Sequence, residues 1–121
     1  MSCISLNCRG IGNPEAVREL HGFVKQFDPA LLFVTEIKIE GKRVKILAST
    51  FGFGGGFAVD SDGLSGGIRI FWSSVVEVDL KGYNMHHIDV FVTCKDGYVP
   101  PWRFTGIMVN QGGRIDIKLG R

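Results

Sequence analysis

The apolar positions change period along the chain, and each change marks an element. Cys3-Ile4-Ser5-Leu6-Asn7-Cys8 is a short extended run and predicts a first strand. From Pro14 to Phe27 the spacing becomes helical. Val17, Leu20, Phe23, Val24 and Phe27 form one stripe, with Arg18, Glu19, Lys25 and Gln26 outside it. Asn13 suits the N-cap, Pro14 the first helical position and Glu15 the positive end of the dipole, and Asp28-Pro29 stops the helix. Ala30-Leu31-Leu32-Phe33-Val34 is apolar on both parities and leads to Glu36, the pattern of a strand buried on both faces. Strand, helix and strand in this order predict a βαβ unit, with parallel strands whose carboxyl ends share one edge of a sheet.

A weaker helix is expected over Gly41 to Phe51, where Val44, Leu47, Ala48 and Phe51 share a face and Gly52 can serve as C′. The texture then turns to β. Strands are expected over Phe57 to Asp60, Ile68 to Trp72, Val75 to Leu80, His87 to Cys94 and Trp102 to Val109. Their separators are Ser61-Asp62-Gly63-Leu64, Lys81-Gly82-Tyr83-Asn84, and Asp96-Gly97 with Pro100-Pro101. The predicted class is α/β: a βαβ start followed by an antiparallel meander, in a sheet of mixed direction. Residues 1–109 hold these elements. Residues 110–121 read as a divergent C-terminal tail with scattered charge and a short Ile115/Ile117 alternation. No second layer is evident to cover the sheet, so an exposed apolar face and self-association through it are expected.

Composition narrows the picture modestly. Hydrophobic residues are 45% and charged residues 21% of the 121, the balance of a folded globular chain. Fourteen basic residues against twelve acidic ones give a net charge of +2, so any nucleic-acid contact must rest on a local cluster rather than bulk charge. Apolar runs are too short to span a bilayer, and Met1-Ser2-Cys3 leads straight into a strand without a signal-peptide pattern. A soluble intracellular protein is expected, with nucleus and cytoplasm undistinguished. Cys3 and Cys8 point to opposite faces of one strand, Cys94 lies far away, and no zinc spacing is present, so free thiols are expected.

Chemistry concentrates on Asn7 and Glu36, which close the two apolar runs of the βαβ unit. Ligands of open α/β sheets bind at that edge, and paired oxygen-bearing side chains suit a hard cation. Taken without further context, the same two residues read as strand-end polar groups that cap turns. Lys38, Lys42, Arg43 and Lys45 follow on the same edge and could meet DNA phosphates, although Glu40 among them also fits a solvated helix face. Gly52, Gly54, Gly55 and Gly56 precede a strand rather than a helix, which argues against a dinucleotide loop and for a shaped connection. His86 and His87 read as packing or hydrogen-bonding groups, and Trp72 and Trp102 as core or sheet-edge anchors.

Several motifs together resemble a known family. Asn7-Cys8-Arg9-Gly10-Ile11-Gly12-Asn13-Pro14, Thr35-Glu36-Ile37-Lys38, Val59-Asp60-Ser61 with Ser65-Gly66-Gly67, His87-Ile88-Asp89-Val90, and Trp102-Arg103-Phe104-Thr105-Gly106 occur in order over residues 3 to 106. The set resembles the endonuclease/exonuclease/phosphatase superfamily, the deoxyribonuclease I-like metal-dependent phosphodiesterases, and looks closest to endonuclease domains of plant non-LTR retrotransposons. The resemblance implies a four-layer α/β sandwich of which this chain supplies the N-terminal half. It also implies Mg²⁺ as cofactor and DNA as partner, with Glu36 holding the metal and Asn7 helping to place metal and phosphate.

The sequence departs from that pattern at Ile37, where Thr is common, and at Met108, where a tyrosine is usual. The later Asp-x-Asn and Ser-Asp-His motifs, which would supply the water-activating base and a histidine, have no counterpart. The expectation is a truncated endonuclease-like domain, inactive alone. The alternative is a non-catalytic module that binds nucleic acid or a partner through the basic cluster and an exposed sheet face.

Overall fold

The computed structural model describes residues 2–7, 13–37, 40–60, 67–108 and 115–120. Cys8, residues 9–12, Lys38, residues 61–66 (where a turn was expected) and Val109 lie outside these residues, as do the side chains of Asn7, Asn13, Pro14, Ile37, Ile115 and Ile117. The elements run β1 (Cys3–Asn7), α1 (Asn13–Phe27), β2 (Leu31–Ile37), a 3₁₀ turn (Gly41–Arg43), α2 (Val44–Phe51), β3 (Gly55–Asp60), β4 (Gly67–Trp72), β5 (Val76–Asn84), β6 (His87–Cys94), β7 (Trp102–Met108) and β8 (Ile115–Gly120). The fold is α/β, with one mixed sheet and one antiparallel sheet.

The first sheet has the order β1-β2-β4-β3. β1 and β2 are parallel, as the βαβ reading predicts, and β2–β4 and β4–β3 are antiparallel. Helices α1 and α2 cover one face. Leu20 and Val24 from α1, with Val44, Leu47, Ala48 and Phe51 from α2, pack on Leu32, Val34 and Phe71. The helical stripe is narrower than its periodicity suggests, because Phe27 is 49% exposed and its ring meets Phe23 instead of the core. Gly52 closes α2 in the left-handed conformation (φ 86°), and its N–H reaches Ala48 and Ser49 oxygens, as a C-terminal glycine should.

The expected uncovered sheet is not observed. β5 to β8 form a second sheet in sequence order, and it packs on the other face of the first. Ala30, Leu31, Phe33, Val59, Ile68 and Ile70 meet Val76, Ile88, Val90, Val92, Phe104 and Met108 in one core cluster. The reason lies in the short link after β4. The Ser73 N–H bonds Ala30 O (2.9 Å) and the Val76 N–H bonds Ser73 O (3.2 Å), which turns the chain onto a new layer instead of extending the old one. β2 is therefore buried on both faces by its own chain.

Two further differences have local causes. β5 continues through Lys81–Asn84, where the separator was expected, and the turn falls at Met85-His86. A register shift between Leu80 and Gly82 absorbs Lys81, and Asn84 Oδ1 then accepts the His86 N–H (2.8 Å) and the His87 N–H (3.0 Å). Ile115–Gly120, which lacked a clear signal, pairs antiparallel with β7. Its partner supplies the order that its own sequence does not announce. Among the described residues, no helix is long and apolar enough to cross a membrane.

Candidate functional site

The parallel pairing aligns Asn7 with Thr35, so Asn7 and Glu36 end adjacent strands on the same sheet edge, as expected. The asparagine side chain lies outside the described residues, and its placement is that of its backbone. Glu36 carries two features that no sequence pattern announces. Thr35 pairs with Ile68 and Ile37 with Gly67, so Glu36 is the extra residue of a β-bulge. Its φ is 58°, in the left-handed region that L residues other than glycine rarely adopt. Such a conformation costs on the order of 1–3 kcal/mol and persists where the surroundings impose it. A strand buried on both faces is such a surrounding.

The bulge aims a carboxylate into a partly buried position. Glu36 Oε2 is buried and has no hydrogen-bond partner among the described residues, and the same holds for Ser5 Oγ and Thr35 Oγ1. Buried polar atoms are almost always satisfied, so three on two neighbouring strands call for a ligand or solvent partner. Hard oxygen donors of this kind fit Mg²⁺, which takes one or two carboxylates and keeps several waters. Among the described residues, no group of three or more His, Cys, Asp and Glu is placed to hold a metal ion.

Other motif residues have structural partners that the sequence reading did not assign. Arg69 of β4 is 2% exposed. It donates to Val59 O (3.1 Å), Ile68 O (3.0 Å) and Asp60 Oδ1 (2.8 Å). Burial pulls its pKa down and Asp60 opposes that shift. The signal was a lone cation inside Gly67-Ile68-Arg69-Ile70-Phe71, with Asp60 across the β3–β4 pair. On the second sheet, Arg103 Nε donates to Asp89 Oδ1 (2.8 Å), Arg103 Nη2 donates to Asp89 Oδ2, and Thr105 Oγ1 donates to Asp89 Oδ1 (3.1 Å). Asp89 pairs with Thr105 in register and alternates with the buried Ile88 and Val90, so this network lies on the face turned away from the first sheet. Hydrogen bonding from Arg103 holds the Asp89 carboxyl below the usual carboxylate range, against the effect of burial.

Lys42 and Arg43 lie in the 3₁₀ turn and Lys45 on α2, all exposed, and Lys42 pairs with Glu40 at 3.1 Å. Lys38 lies outside the described residues. His86 and His87 sit at the β5–β6 turn, where their backbone N–H groups serve the Asn84 cap. The glycine-rich stretch shapes packing, as expected: a Cβ on Gly55 would lie 2.6 Å from the Trp72 indole. Cys3 and Cys94 are free thiols, and burial pushes Cys3 up to about 11.

Compared with known protein families and with curated proteins, the chain has no match in either.

Proposed function

We propose that these residues form the N-terminal half-site of a Mg²⁺-dependent phosphodiesterase of the endonuclease/exonuclease/phosphatase type, of retrotransposon origin and acting on DNA. The observation that carries the reading is Glu36: a strained residue on a bulge, with a buried and unpartnered carboxylate oxygen, beside the strand end that bears Asn7. Glu36 would hold the ion, and the Asn7 amide would help to place the phosphate. When bound, Mg²⁺ would polarise the scissile phosphate and stabilise charge on the departing oxygen.

The half-site has no partner for the remaining chemistry within the 121 residues. No Asp-x-Asn or Ser-Asp-His motif occurs in them, so no group is assigned to activate water. A general base is typically worth about 10² to 10⁴ in rate. The expected result of a plasmid-nicking assay with Mg²⁺ is therefore no turnover above background. Robust nicking that disappears in Glu36→Ala would overturn the inactive part of the reading. Mg²⁺ binding that survives Glu36→Gln unchanged would overturn the assignment of the metal position.

A second reading is supported by the exposed run of Lys42, Arg43 and Lys45 just after the β2 edge. There the chain binds nucleic acid without cutting it. Its signature is salt-dependent DNA binding that needs neither Glu36 nor metal. A Lys42→Ala/Arg43→Ala double substitution should flatten the slope of log K against log salt by about two, roughly one phosphate contact each. An unchanged slope would remove this reading.

A further inference from the structure

We propose that the Ser5 and Thr35 hydroxyls are positioning groups that anchor the hydration shell of a divalent cation held at Glu36. The inference rests on the metal reading of Glu36 given above. Ser5 is in register with Phe33 and Thr35 with Asn7, and Phe33 meets Phe104 of the second sheet at 5.4 Å. In a parallel pair, registered residues share a face, so Ser5 and Thr35 both turn toward the second sheet. That layer is otherwise lined by Phe33, Ile68, Phe104 and Met108.

A hydroxyl with no partner is out of place in such a layer. Thr35 is fully buried, and neither its Oγ1 nor Ser5 Oγ has a hydrogen-bond partner among the described residues. Valine would fill the Thr35 position with nearly the same shape and an equal liking for strands, and it would leave no polar atom unsatisfied. The two hydroxyls are not scattered. They stand on the two strands that end at the candidate metal position, and Thr35 directly precedes Glu36, whose Oε2 is likewise without a partner among the described residues. Because Mg²⁺ retains several waters, oxygen atoms one shell out recognise it through those waters. Groups in that position fix the orientation of the ligands they serve, and removing them commonly weakens metal binding about 10- to 100-fold.

The test is calorimetric titration of the full chain with MgCl₂, paired with metal-free thermal melts, for wild type, Thr35→Val, Thr35→Ser, Ser5→Ala and Glu36→Gln. The expected result for Thr35→Val is Mg²⁺ binding weakened about 10- to 100-fold, with a metal-free Tm equal to or above that of wild type. Thr35→Ser, which keeps the hydroxyl, should bind nearly as wild type, and Ser5→Ala should weaken binding in the same direction as Thr35→Val. If Glu36→Gln loses binding while Thr35→Val keeps it, the inference falls and the metal reading stands. If Thr35→Ser is weakened as much as Thr35→Val, shape rather than the hydroxyl is responsible, and the inference falls. If wild type and Glu36→Gln behave alike, the metal reading falls and takes the inference with it.

Discussion

Glu36 shows how a single backbone angle separates stability from function. The left-handed conformation that glycine accepts freely is imposed here on a side chain with a Cβ, and the carboxylate it carries is partly buried. Glu36→Gly should therefore raise stability by about 1 kcal/mol, from relief of the backbone and removal of the orphan oxygen. A urea midpoint that falls would contradict this account. Gly106 is the opposite case. A Cβ there would lie 2.5 Å from the fully buried Phe33 ring, so the glycine lets the two sheets approach. Gly106→Ala should destabilise by about 1–3 kcal/mol through overpacking, measured in the same denaturation series. Gly106 was legible in the sequence as a motif member. Its reason was not, because the ring it accommodates lies 73 positions earlier. Asn7 and Glu36 were legible as strand ends because β1, α1 and β2 announce themselves locally. The bulge was not, since it exists only as a mismatch between β2 and β4.

Elements were legible to the extent that their own residues determine them. α1, β2 and the strands β3 to β7 fell within a few residues of the expected positions. The Lys81–Asn84 stretch and β8 did not, because a bulge and a partner strand decide them. The β6–β7 pair also joins two motif segments by a charge that neither displays alone: Asp89 is held by Arg103 and Thr105 across the ladder. The pair gives a pH signature. The folded Asp89 carboxyl titrates below its unfolded value of about 3.9, so the unfolded chain takes up the proton first as acid is added. Its stabilising contribution is present in full well above that value and is lost as pH falls from there through the lower folded value. Asp89→Asn should therefore be less stable at pH 7 and show a shallower loss of stability in acid. Parallel pH profiles for variant and wild type would exclude a role for the pair.

At the scale of the whole molecule, the second sheet covers the face of the first that the sequence suggested would be exposed. One core cluster takes residues from both sheets, so the layers share a common apolar core. That architecture was hard to read because an antiparallel meander has the same local pattern whether it extends a sheet or starts another. The distinction lies in the Trp72–Val76 link, where the Ser73 N–H bonds back to Ala30.

The strand order β1-β2-β4-β3 also assigns the two ends of the candidate site to unequal supports. Among the described strands, β1 is hydrogen-bonded to β2 alone, whereas β2 has a neighbour on each side. Local opening follows such differences in bonding and burial. In native-state hydrogen exchange, the amides of Leu6 and Asn7 should exchange through fraying while those of Leu32 to Val34 wait for global unfolding. Equal protection of the two strands would refute the prediction. If the strands do differ, Asn7 and Glu36 keep different time: the glutamate stands as a permanent post, and the asparagine visits it on a strand that opens and closes many times within one lifetime of the fold.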